Sequence, residues 1–87
     1  MTGELILVTK EDCEFCERAH GVLKTLGVEA RELSVDSAEA RALAARGIPL
    51  AFMPVLTDGE HVFAYGRFSE KRLRKEFAKE FAAELAQ

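Results

Sequence analysis

Leu5-Ile6-Leu7-Val8-Thr9-Lys10-Glu11-Asp12-Cys13-Glu14-Phe15-Cys16 is the stretch whose reading decides the fold. Its first five residues are β-prone and continuously apolar, the pattern of a central strand covered on both faces. Lys10-Glu11-Asp12 is a polar loop. From Cys13 onward the spacing changes. Phe15, Ala19, Val22, Leu23 and Leu26 fall on one stripe of a helix over about 13–26, which Gly27 ends. A strand therefore hands two thiols to the start of a helix. There the helix dipole and the unpaired backbone N–H groups favour a thiolate over a thiol.

Composition narrows what those thiols do. At 87 residues the chain is expected to form one domain spanning 1–87, and 48% apolar residues argue for a packed core rather than disorder. Its two cysteines lie three positions apart, so a bond between them closes too short a loop to add much stability. Chemistry explains the pair better than stapling does. No apolar stretch reaches the roughly 18 residues of a membrane span. The start of the chain lacks a basic, apolar leader, so the expected location is cytoplasmic, where paired thiols read as catalytic or metal-binding. The net charge of −3 is spread along the chain and leaves no basic footprint for nucleic acid. Arg67, Lys71, Arg72, Arg74 and Lys75 are interleaved with Glu70, Glu76 and Glu80, as on a solvated helix face.

Further along, Val28 to Val35 reads as an edge strand, because Leu33 and Val35 alternate with polar Glu32 and Ser34. Asp36-Ser37-Ala38-Glu39 resembles a capping box opening a second helix that runs to about Arg46 and stops at Gly47. Ile48 to Met53 is an apolar loop containing Pro49. Pro54 opens a third strand, Val55-Leu56-Thr57, and Asp58-Gly59 signals a hairpin into a fourth at His61 to Tyr65. Gly66 breaks that strand. Ser69 caps a third helix with the stripe Leu73, Phe77, Phe81 and Leu85. The order is β-α-β-α-β-β-α, an α/β chain with a four-stranded mixed sheet flanked by helices. Its first βαβ unit is expected to be parallel and right-handed. Ile6, Val8, Leu23, Leu26, Leu33, Val55, Leu56, Leu73, Phe77 and Phe81 are the expected core.

This order resembles the glutaredoxin branch of the thioredoxin superfamily over about residues 4–86. Three stretches carry the likeness. Thr9 to Cys16 resembles the branch's active-site loop, with a lysine before the dithiol and an aromatic before the second cysteine. Met53-Pro54-Val55-Leu56 resembles the segment holding the cis-proline. Tyr65-Gly66-Arg67-Phe68-Ser69 resembles the exit of strand four into the last helix. The pattern is also similar to the glutaredoxin-like redoxins that donate electrons to ribonucleotide reductase. The resemblance implies a thioredoxin-like fold and a thiol–disulfide oxidoreductase. Cys13 is then the attacking thiolate and Cys16 the resolving thiol, with Lys10, Phe15, Met53, Pro54 and Gly66 around the bound substrate. No metal or resident cofactor is implied. The partners implied are a disulfide-bearing protein and either a reductase or glutathione as electron donor, with the chain acting as a monomer.

Two prolines compete for the cis position. Gly47-Ile48-Pro49 imitates the Gly-Ile-Pro of thioredoxins, but choosing Pro49 leaves Pro54 inside a strand, where its missing N–H breaks the ladder. Pro54 is the better choice. Members that use glutathione usually carry Cys-Pro-Tyr-Cys, Thr-Val before the cis-proline, and Gly-Gly with an acid near the end of strand four. Here those places hold Glu14, Phe52-Met53 and Gly66-Arg67, while Lys10 remains to hold a carboxylate. Thioredoxins place an acid six residues before the first cysteine, where this chain has Leu7.

Around Cys13, Lys10 and the helix dipole favour the thiolate, whereas Glu11, Asp12, Glu14 and Glu17 oppose it. This balance predicts a less acidic thiol, and a more reducing couple, than in a typical glutaredoxin. Two other classes fit parts of the pattern. One is a thioredoxin-fold binding module without catalysis. The other is a zinc protein built on Cys13, Cys16 and His20, which needs a fourth ligand when His61 is the one other histidine. His20 reads more simply as an ordinary helix residue, and His61 as solvated beside a turn.

Overall fold

The computed structural model describes residues 4–67 and 69–85, except for the side chains of residues 79–85. The elements follow in the expected order: β1 (Ile6–Thr9), α1 (Glu14–Leu26), β2 (Arg31–Ser34), α2 (Ala38–Ala45), β3 (Val55–Thr57), β4 (Val62–Tyr65) and α3 (Glu70–Leu85). The sheet order is β2-β1-β3-β4. β1 is parallel to β2 and antiparallel to β3, which is antiparallel to β4. The uniformly buried β1 is thus an interior strand, and alternating β2 is an edge.

The two faces of the sheet carry separate cores, as the two-residue strand period requires. Leu5 and Leu7 pack with Ala19 and Leu23 of α1, Leu56, Phe63 and Leu73 of α3. Ile6 and Val8 pack with Leu33, Leu43 of α2, Ile48, Met53 and Val55. Of the expected core, Leu26 and Phe77 are half-buried at the rim of the first cluster. Phe63 and Phe77 stack with ring centroids 5.5 Å apart in a tilted pair. Phe68 and the side chains of Phe81 and Leu85 lie outside what the structure describes.

Local chemistry sets the element ends. Gly27 takes the left-handed conformation at φ 68°, and Val28 N–H then reaches back to the Leu23 carbonyl at 2.9 Å. Ser37 caps α2, its hydroxyl accepting from Ala40 N–H at 3.1 Å. The expected capping box is only half made, because Ala40 stands three residues after the cap. Glu39 instead pairs with Arg31, which also binds Glu4. The hydrogen bond from Arg31 outweighs burial and lowers the Glu39 carboxyl below its ordinary range.

The hairpin expected at Asp58-Gly59 forms, with a loop one residue longer than expected. Residues 58–61 all lie in the loop, and β4 starts one residue later than predicted, at Val62. The cause is the Asp58 side chain. Its Oδ1 accepts from Glu60 N–H at 2.9 Å and His61 N–H at 2.7 Å, while Thr57 Oγ1 donates to the His61 carbonyl at 2.6 Å. Burial acts to raise the Asp58 carboxyl, but the hydrogen bonds from His61 and Glu60 win and hold it below its usual value. Asp58→Ala is expected to cost about 1–2 kcal/mol at neutral pH. The contribution is that of a depressed acid. It is complete above about pH 4, the ordinary aspartate value, and is lost as pH falls through the lower folded-state value. Urea unfolding of both proteins at neutral and acid pH checks this, since the gap between them must narrow in acid.

Candidate active site

Cys13 is the N-cap of α1 rather than its first helical residue. Its backbone is extended at φ −108° and ψ 104°, and its carbonyl accepts from Cys16 N–H at 3.2 Å and Glu17 N–H at 3.3 Å. Its Sγ also accepts from Cys16 N–H at 3.2 Å. A sulfur at an N-cap receives the positive end of the helix dipole as directly as the fold allows. Asp12 sets up this turn by adopting φ 53°, a left-handed conformation that aspartate tolerates better than most side chains.

Cys13 and Cys16 are joined as a disulfide with a Cα–Cα distance of 5.2 Å, inside the range such bonds accept. The two sulfurs differ in access. Cys13 is half-buried, whereas Cys16 is 4% exposed and belongs to the same apolar cluster as Val8 and Met53. An outside disulfide therefore meets Cys13 first.

The loop before β3 completes the site. Met53–Pro54 is the cis peptide, and Met53 packs in one cluster with both cysteines. The Met53 backbone pairs with no described residue. Gly66, at φ 64°, donates its N–H to the Pro54 carbonyl at 2.9 Å and to the Phe52 carbonyl at 3.2 Å, so it shapes the loop and has no free amide. Phe52 is 67% exposed, its ring 6.4 Å from that of Tyr65. Phe15 corrects the expected helix stripe. It is 44% exposed, and Cys16, Ala19 and Leu23 take the buried positions instead. Cys16, one position on, is 4% exposed and clusters with Val8 of β1. Lys10 is exposed and lines one groove with Cys13 and Cys16.

His20 and Glu32 line that groove as well. His20 Nε2 lies 3.2 Å from Glu32 Oε2, and Thr9 Oγ1 donates to Glu32 Oε1 at 3.0 Å. By sequence alone His20 is an ordinary helix residue and Glu32 a polar strand position. The one available signal is that His20 follows Cys16 by four residues, on the same helix face. His61 is exposed, with Nδ1 3.4 Å from Asp58 Oδ2. Among the described residues, no group of three or more His, Cys, Asp or Glu side chains is arranged to hold a metal ion. Among the same residues, no helix is long and apolar enough to cross a membrane.

A mixed four-stranded sheet that sets a Cys-x-x-Cys disulfide at its first helix start, against a cis-proline, defines a thioredoxin-fold protein. The glutaredoxin family model matches residues 5–62, and the chain belongs to that family. Its chemistry is therefore thiol–disulfide redox chemistry. Among solved structures the chain is similar to the glutaredoxin-like protein NrdH-redoxin from Escherichia coli, a protein with a thioredoxin-like activity profile of its own. Identity is 22% at a TM-score of 0.61, covering 83% of this chain and 92% of that one. The chain is also similar to glutaredoxin 1 from Francisella tularensis, solved with cacodylate. There identity is 13% at a TM-score of 0.57, covering 91% of this chain and 96% of that one. At these identities the likeness carries the fold. A search of curated proteins finds no match.

Proposed function

We propose that the chain is a cytoplasmic, monomeric disulfide reductase acting on protein disulfides by a dithiol mechanism. The reduced Cys13 thiolate attacks a target disulfide, giving a mixed disulfide and releasing one target thiol. Cys16 then attacks Cys13 Sγ, the bond to the target breaks, and the Cys13–Cys16 disulfide forms as the second target thiol leaves. The carrying observation is the unequal pair of sulfurs, a half-buried one at the helix cap and a buried one behind it, clustered with Met53, the residue before cis-Pro54. The Met53 backbone, unpaired among the described residues, suits an extended substrate segment adding as a short strand, with Phe15 and Phe52 offering apolar contact.

A flavoprotein reductase of the thioredoxin-reductase type fits as electron donor better than glutathione. Lys10 is present to hold a carboxylate, but Gly66-Arg67 brings no acid for a glutathione amino group. Insulin reduction, run separately with NADPH plus a thioredoxin reductase and with glutathione plus its reductase, tests this. Faster turnover with the first donor is expected. Turnover with glutathione alone would reverse the donor assignment, and no turnover with either would indicate a binding module.

A further inference from the structure

Resolution of the mixed disulfide needs Cys16 as a thiolate, yet Cys16 is buried and sits one turn inside the helix, away from the N-cap that serves Cys13. A thiol so placed needs somewhere to put its proton. The groove that Cys16 lines offers a place. His20 stands four residues on along the same helix face, and its Nε2 faces a Glu32 carboxylate that Thr9 holds from the other side. The β1–β2 register explains the meeting. Glu32 is paired with Leu7, whose side chain packs against α1, so Glu32 also faces α1.

We infer that His20 accepts the Cys16 proton in the resolving step, with Glu32 as its positioning residue and Thr9 steadying Glu32. This inference rests on the dithiol mechanism proposed above. A carboxylate at Nε2 selects the tautomer that carries its proton there, which leaves the Nδ1 lone pair free to act as base. In the balanced step the Cys16 thiol proton passes to the imidazole, and Cys16 Sγ bonds to Cys13 Sγ. The bond from Cys13 to the target sulfur breaks, and the departing thiolate takes the proton back. The other charged groups lining the groove are Lys10 and Asp12 on the loop and Glu14 and Glu17 on α1.

The aromatic disulfide DTNB separates the two thiols in a stopped-flow experiment. Reduced protein releases a first coloured thiolate when Cys13 attacks and a second when Cys16 resolves. His20→Gln and Glu32→Gln are expected to slow the second phase by at least about tenfold at neutral pH and leave the first within about twofold. Their second phase should also fall more steeply than the wild type's from about pH 8 to about pH 6, as for a thiol ionising unaided. Glu32→Asp keeps a carboxylate and should recover part of the rate. Glu17→Gln removes the same charge from the groove and should leave the second phase within about twofold. His20 and Glu32 are both exposed, so these variants retain the fold, which far-UV circular dichroism checks. An unchanged second phase, equal slowing of both phases, or an equal effect from Glu17→Gln would each overturn the assignment. A wild type with no second phase at all would instead bring down the dithiol mechanism, and this inference with it.

Discussion

Cys13→Ser is expected to abolish insulin reduction, lowering turnover by at least about a thousandfold, because Cys13 is the nucleophile in the proposed mechanism. Cys16 cannot substitute. It is 4% exposed, packed among Val8 and Met53, and out of reach of an outside disulfide. Cys16→Ser has a different signature. Cys13 keeps its N-cap position and still attacks, but nothing displaces the target, so the protein accumulates as a mixed disulfide. Mass spectrometry after incubation with a disulfide-bonded substrate distinguishes the two. A covalent adduct on Cys16→Ser, together with none on Cys13→Ser, is the expected pair of results. The reverse pattern would show that the roles of the two sulfurs are exchanged.

Leu73→Ala carries the largest expected effect on stability, a loss of about 2–5 kcal/mol. Leu73 is 0% exposed and packs α3 onto the face formed by Leu5, Leu7, Leu56 and Ala64. Truncation leaves a cavity that a sheet on one side and α1 on the other cannot collapse. In a chain of 87 residues whose total stability is on the order of 5–15 kcal/mol, that is a large share. Phe52→Ala is the matching control. With 67% exposure it is expected to change stability by no more than about 0.5 kcal/mol. Urea unfolding followed by circular dichroism measures both, and a Leu73→Ala cost below about 1 kcal/mol would mean that α3 is anchored elsewhere.

Much of the fold around the candidate site was legible in the sequence. The uninterrupted apolar run Leu5 to Thr9 identified the interior strand, because only a strand covered on both faces lacks polar alternation. The missing N–H of proline chose Pro54 over Pro49 for the cis position, and Pro54 is where the cis bond lies. Other features were illegible for nameable reasons. Phe15 has the right spacing for the buried stripe, but α1 turns its Cys16, Ala19 and Leu23 side inward and leaves Phe15 exposed. The fourth strand starts one residue later than expected because the Asp58 carboxylate captures two backbone amides at once.

The order of elements, the thiols at a helix start and the glycine and serine stops were all written in the chain itself. Each depends on residues within a few positions of one another, where backbone geometry and hydrogen-bonding needs act directly. That Phe15 points outward, and that His20, Glu32 and Thr9 meet beside Cys16, were decided only on assembly. Those contacts follow from strand register and from the seating of α1 on the sheet, and both are set by burying apolar surface between segments far apart in sequence.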